Sequence, residues 1–250
     1  MPSPLNIGVS GANGRMGLAV ASAIRARTDL RLTAQFDSPG PTVEDLGACD
    51  AIIDFSTPAA SVALARQAAA RGGPALVIGS TGVSTDDLAA IKSAAASVAI
   101  VYSGNYSLGV NVLAGVVEQT ARRLAARDWD IEISESHHRR KVDAPSGTAL
   151  MLGEAAARGR GVTLADHMVS ARHGLTGPRP DGAIGFSVVR GGGIVGEHGV
   201  IFAAEDEILT LSHSARDRSL FARGALEAAV WVCGRAPGLY DMMDALGFRT

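Results

Sequence analysis

Apolar positions along the chain follow two rhythms, and the change between them divides it. In the first hundred residues, short apolar runs alternate with helical patterns. LNIGVS (5–10), LRLTAQF (30–36), AIIDFS (51–56), ALVIGS (75–80) and VAIVYS (98–103) read as five strands. Between them, RMGLAVASAIRAR (15–27), PAASVALARQAAARG (58–72) and STDDLAAIKSAAA (84–96) carry helical periodicity. Pro58 sits near the first turn of its helix and Gly72 at its end; the 84–96 helix opens on Ser/Thr and early acidic residues. Continuous apolar strands separated by helices predict a parallel sheet covered on both faces.

Beyond residue 106 the pattern changes. Residues 107–127 read as one long helix, and IEISES (131–136) as a strand with alternating side chains. A polar loop and a helix near 147–158 follow. After a Gly/Pro-rich stretch (174–182) come three further strand-like runs, IGFSVVR, VGEHGVIFAA and EILTLSHS. Their alternation suits an open antiparallel or mixed sheet. The last helix, 219–233, is expected to return to the first domain. The expected class is α/β: a parallel-sheet domain of residues 1–106 and 218–250, and an α+β domain of residues 107–217 with an open mixed sheet.

Composition narrows the classes. The 250 residues are 47% hydrophobic, enough for a substantial core. Net charge is −2, which gives no general attraction for nucleic acid or anionic membrane. Two cysteines, Cys49 and Cys233, make no disulfide scaffold and no C-x-x-C pair. The N-terminal residues show no basic segment followed by an apolar stretch, and no apolar run is long enough to span a bilayer. A cytoplasmic protein is expected.

The first chemistry lies between the first strand and the first helix, in Gly11-Ala12-Asn13-Gly14-Arg15-Met16-Gly17. Small residues there let the backbone approach a pyrophosphate, and the helix N-terminus supplies N–H donors. The spacing is G-x-x-G-x-x-G, a weak signal alone. Context strengthens it: Asp37 ends the second strand, where an acidic residue binds the adenosine ribose hydroxyls. A tight turn that binds nothing is the alternative. The first domain is therefore read as Rossmann-like. Asp37 is followed by Ser38 and not by a cation, so NADH is expected to be preferred over NADPH. Gly79-Ser80-Thr81 and Ser103-Gly104-Asn105-Tyr106 follow strands four and five, where open α/β sheets bind ligands, although either loop can be plain turn chemistry.

The second feature is Glu135-Ser136-His137-His138-Arg139-Arg140-Lys141-Val142-Asp143-Ala144-Pro145-Ser146-Gly147-Thr148. Histidine can exchange a proton near neutrality, lysine and arginine attract a dianion, and a helix opening at Ser146 can hold a carboxylate. The same run also reads as a solvated basic loop, and Ser146 as a simple cap. Two adjacent histidines without further ligands make no zinc site, so no metal is expected.

The run resembles the signature E-x-H-H-x-x-K-x-D-A-P-S-G-T-A of the 4-hydroxy-tetrahydrodipicolinate reductase family. VSGANGRMG, VIGSTG, YSGNYSLGVN and GFSVVRGGGIVGEH are similar to that family too. The resemblance implies NAD(P)H-dependent reduction of a small cyclic dicarboxylate in lysine biosynthesis through diaminopimelate. It implies His137 as general acid/base, Lys141 as substrate-binding and proton-assisting, and His138, Gly147 and Thr148 at the substrate carboxylates. Gly11 to Met16, Asp37, Gly79 to Thr81 and Ser103 to Tyr106 are implied to hold the cofactor; Arg218 and Phe221 are weaker candidates. The second domain is implied to bind substrate and to assemble a homotetramer, with domain closure during turnover. The segment between Asp37 and Asp50 is shorter than in better-known members, and Ser38 replaces a basic residue found in some relatives. Other dehydrogenases, such as aspartate dehydrogenases, a nucleotide-sensing module and a basic-loop nucleic-acid binder are the competing readings.

Overall fold

The computed structural model describes residues 3–38, 40–170 and 172–249. It contains two compact units, residues 1–108 with 219–250, and residues 109–218. The first carries β1 (Leu5–Ser10), α1 (Arg15–Arg25), β2 (Leu30–Phe36), α2 (Val43–Gly47), β3 (Ala51–Asp54), α3 (Pro58–Ala69), β4 (Ala75–Ile78), α4 (Thr85–Ala94) and β5 (Ala99–Tyr102). The second carries α5 (Leu108–Arg123), whose first residue still belongs to the first unit, then β6 (Asp130–His137), α6 (Gly147–Arg160) and α7 (Leu164–His167). It continues through β7 (Met168–Val169), β8 (Ile184–Arg190), β9 (Glu197–Ala203) and β10 (Ile208–Ser214). The chain then returns to the first unit as α8 (Ser219–Val232), β11 (Gly238–Tyr240) and α9 (Met242–Ala245).

All pairings in the first sheet are parallel, in the order β11-β5-β4-β3-β1-β2. Both faces are covered, which is why its strands are apolar on both sides. Ile7, Val9, Ile53 and Val101 pack with Val20 and Ile24 of α1 and Leu226 of α8. Ile52, Leu76 and Ile100 face Leu64 of α3 and Ile91 of α4. The chain departs from the β1–β2 pair to β3 on the other side of β1. That reversal of direction opens a crevice at the carboxyl ends of β1 and β3. The segment after Asp37 is short: among its described residues it forms the five-residue α2 before β3, and no strand outside β2.

β3 and β4 are shorter than the apolar runs suggest. β3 stops at Asp54 because its carboxylate turns back to accept the backbone N–H (3.1 Å) and hydroxyl (2.5 Å) of Ser56. The C-terminal segment contributes more than a helix: Gly238–Tyr240 adds an edge strand beside β5.

The second sheet is mixed, in the order β10-β9-β6-β8-β7, with β9 antiparallel to β6 and β10, and β8 parallel to β6 and β7. One face packs on α5 and α6 through Ile131, Ile133, Val200 and Phe202. Along β6 the buried side chains are Ile131, Ile133, Glu135 and His137. Two apolar residues thus give way, on one inward-facing row, to two ionisable ones. On the other face Arg172 and Arg179 pair with Glu132 (2.7 and 3.0 Å), tying the loop before β8 to β6. Among the described residues, no helix is long and apolar enough to cross a membrane.

Candidate active site

In the first unit the glycine turn runs from the end of β1 into α1. Gly11 has φ +71, and a Cβ there would lie 2.7 Å from the Phe55 carbonyl oxygen. A Cβ on Gly17 would overlap the Gly11 carbonyl, so the first turn of α1 can sit this low only with glycine. Gly14 is the N-cap of α1, with no side-chain cap and no acidic residue in the first turn. The positive end of the helix is therefore left uncompensated by its own side chains. Asp37 accepts the Asn13 N–H at 3.0 Å, which sets its carboxylate against the turn.

A cleft of about 500 Å³ opens beside it, lined by Gly11, Gly14, Asp37, Phe55, Thr57 and Gln67 among others. Its glycine floor, helix N-terminus and carboxylate have the chemistry that a dinucleotide would require. Phe55, Ser56, Thr57 and Gln67 were not singled out from the sequence. The Ser-Thr-Pro run at 56–58, at the carboxyl end of a parallel strand, was the available signal.

The other two loops present themselves mainly through backbone. Ser80 is buried, its hydroxyl 2.7 Å from that of Ser61, which also donates to the buried Asp54 carboxylate. Gly79 abuts the Phe55 ring, and Thr81 is exposed. The Tyr106 side chain is a buried peg. Its hydroxyl reaches the carbonyls of Ile78 (2.8 Å) and Val101 (3.1 Å), and its ring meets Phe55 edge-on. Burial pushes this phenol well above its ordinary range. The Ser103 hydroxyl donates to the Asn105 carbonyl, Gly104 is exposed, and Asn105 accepts the Ser107 N–H through Oδ1. Arg218 is exposed in the second unit, whereas Phe221 is half-buried in α8 of the first.

In the second unit the inward row of β6 ends in Glu135 and His137. His137 Nδ1 lies 2.6 Å from Glu135 Oε2, and Glu135 Oε1 accepts the Ser146 N–H at 3.0 Å. Arg190 grips both carboxylate oxygens (2.7 and 2.8 Å) and donates to the Asp143 carbonyl (2.6 Å). Burial works to raise the Glu135 carboxyl, but Arg190, His137 and the Ser146 N–H outweigh it, and it stays below the usual range. Lys141 pairs with Asp143 at 2.8 Å and holds that carboxyl low as well. One chain of contacts, Lys141–Asp143–Arg190–Glu135–His137, thus joins residues from the loop and two strands.

Ser146 caps α6 by accepting the Ala149 N–H, and Gly147 and Thr148 form its first turn, where N–H groups lack intrahelical acceptors. His138 is half-buried, and its Nδ1 has no partner among the described residues. His198 packs edge-on to His137 with ring centroids 5.1 Å apart, and its Nε2 is 3.2 Å from the Ser146 hydroxyl. Burial, helped by the neighbouring His137, pushes His198 down to about 4, so it is neutral at physiological pH. The site therefore offers one anchored imidazole, a nearby ammonium and a helix N-terminus, which together suit proton transfer to a bound anion.

Comparison with known proteins covers both units of the chain. The profile for the N-terminus of dihydrodipicolinate reductase matches residues 5–106, and that for its C-terminus matches residues 109–246. The 4-hydroxy-tetrahydrodipicolinate reductase of Caulobacter vibrioides is 62% identical, covering 100% of both chains. That of Rhizobium rhizogenes is 52% identical, over 97% of this chain and 96% of its own. The dipicolinate-bound dihydrodipicolinate reductase of Paenisporosarcina sp. TG-14 shares the fold, with a TM-score of 0.77 at 20% identity, covering 96% of this chain and 98% of that one. The chain belongs to the dihydrodipicolinate reductase family and is an oxidoreductase with a Rossmann-type domain for a nicotinamide cofactor.

Proposed function

We propose that the chain reduces 4-hydroxy-tetrahydrodipicolinate to tetrahydrodipicolinate, in the diaminopimelate route to lysine, with His137 as the proton-transfer residue. The observation that carries this reading is the buried His137–Glu135 contact beside the α6 N-terminus. The substrate is a small cyclic dicarboxylate. One carboxylate meets the first turn of α6 at Gly147 and Thr148, with His138 beside it. Lys141 exchanges its pairing with Asp143 for the substrate and neutralises charge that develops on the ring. Among the described residues His137 Nε2 has no protein partner, and it is the nitrogen that meets the substrate. Reduced nicotinamide, when bound, supplies the hydride. Gly11 to Met16 hold its pyrophosphate; the Gly79–Thr81 and Ser103–Tyr106 backbones line the cofactor site further along the sheet edge.

NADH is the preferred cofactor on this reading. The Asp37 carboxylate faces the ribose hydroxyls and repels a 2′-phosphate, and the next residue is Ser38. The assembly is a homotetramer, in which exposed Val189 and Ile208, on the open face of the second sheet that Ile201 shares, meet another copy. The compartment on this reading is the cytoplasm.

The test is NADH oxidation by the pure protein, with substrate generated from pyruvate and aspartate semialdehyde by the preceding synthase and NADPH run in parallel. Rapid synthase-dependent oxidation, faster with NADH, is the expected result. No oxidation with NADH binding intact and the synthase active would contradict the reaction. A tenfold advantage for NADPH would contradict the Asp37 argument.

A further inference from the structure

Glu135 makes more contacts than an ordinary cap or a surface ion pair requires. It is 2% exposed, and each of its oxygens is used twice. Oε2 meets His137 Nδ1 and Arg190 Nη1; Oε1 meets the Ser146 N–H and Arg190 Nη2. Arg190 is itself fixed by the Asp143 and Val189 carbonyls (2.6 and 2.8 Å). The carboxylate therefore cannot rotate without breaking a charge-assisted bond.

An ionised carboxylate only accepts hydrogen bonds, so His137 must carry its proton on Nδ1 whenever the ring is neutral. Nε2 is then left with a lone pair. The same carboxylate also accepts the N–H that opens α6, so the imidazole and the proposed carboxylate-binding helix end share one anchor. Room around Nε2 is limited on the protein side: a Cβ on Gly196 would lie 3.1 Å from it. The arrangement parallels a nucleophile–base pair oriented by a third group, with a base held in one tautomer by a buried acid.

We propose that Glu135, clamped by Arg190, is a positioning residue that sets the tautomer and heading of His137 and registers it against the N-terminus of α6. This rests on the reading of His137 as the proton-transfer group, so its test needs a readout independent of turnover. In full-length protein labelled with ¹⁵N-histidine, at a pH where the ring is neutral, the His137 shifts should report a protonated Nδ1 and a bare Nε2. Glu135→Gln, whose amide can also donate, should admit the other tautomer. It should lower kcat about 10²-fold and leave KM for NADH within twofold. A parent protein with the proton on Nε2, or a Glu135→Gln variant with kcat within twofold of the parent, would overturn the proposal. If Glu135→Gln does not fold, Arg190→Lys keeps the carboxylate and loosens its grip. A reduced kcat with unchanged KM for NADH is expected there, and parent-like kcat would count against the clamp. His137→Ala reads the functional assignment separately: parent-like turnover would remove the role of His137, and the nitrogen shifts of the parent protein would still report whether Glu135 sets the tautomer.

Discussion

The glycine turn of the first unit and the end of β6 in the second are built by opposite means. The turn offers backbone: glycine positions without Cβ, a helix N-terminus and one carboxylate held by an N–H. The end of β6 offers ionisable side chains anchored on one another, Glu135 with Arg190, His137 and Ser146, and Lys141 with Asp143. A backbone cradle is insensitive to pH and intolerant of added volume. A side-chain network is the reverse, since each member depends on the charge of the next. Perturbations of charge and of volume should therefore separate the two.

The largest effect is expected at Lys141. Lys141→Ala should lower turnover by about 10²–10⁴-fold while NADH binding persists. Steady-state kinetics beside a fluorescence titration would show the split, and parent-like turnover would remove Lys141 from the mechanism.

Next in size is the pH dependence of stability. An unfolded histidine binds a proton near pH 6.5 that buried His198 refuses until about 4, so acid favours the unfolded chain across that window. This should cost on the order of 3 kcal/mol between pH 6.5 and 4. Urea unfolding at several pH values checks it, and a His198→Asn variant should flatten the slope. At lower pH, Glu135 and Glu132 add to the loss. Their folded carboxyls are held below the ordinary range by arginines, despite burial, so the stability they contribute vanishes as pH falls through those depressed values.

Volume should act on the other unit. Gly17→Ala forces α1 away from the Gly11 carbonyl, at a cost of about 1–3 kcal/mol, and should weaken NADH binding with little pH dependence. Thermal melts with and without NADH would show both. An unchanged melt and dissociation constant would mean the turn gives way more easily than its packing implies. The smallest effect is at Asp37. Asp37→Ser should reduce the NADH:NADPH efficiency ratio about tenfold, as one carboxylate–hydroxyl contact and its repulsion of a 2′-phosphate are lost. An unchanged ratio would move cofactor selection elsewhere.

The sequence displayed the backbone cradle better than the side-chain network. The turn is contiguous, and strand, glycines, helix and Asp37 all lie within 5–37. His137, His138, Lys141 and Gly147 were likewise visible as one run. Their support was not, because Arg190 comes 55 residues after Glu135 and meets it only through the parallel pairing of β6 with β8. His198 reaches the same place by antiparallel pairing, opposite Glu135 on β9. The small elements differ in how far local pattern announces them. The Thr42–Asp45 capping box starts α2, and Asp241 starts α9; both are readable as short cap motifs. β11 has only three residues and gains its identity from pairing with β5, which no local pattern announces. Ser80 and Tyr106 lie in loops that the resemblance implies hold the cofactor, and the residue types do not say whether side chain or backbone would do so. Their hydroxyls are used inside the fold, so on the proposed reading only their backbone would be offered to a cofactor.

The most direct measurement of this division of labour is made on His137→Ala: NADH affinity by fluorescence titration and synthase-coupled turnover, on the same preparation. The account predicts NADH affinity within about twofold of the parent and turnover reduced about 10²–10⁴-fold. Parent-like turnover, or a loss of NADH affinity as large as the loss of rate, would contradict it.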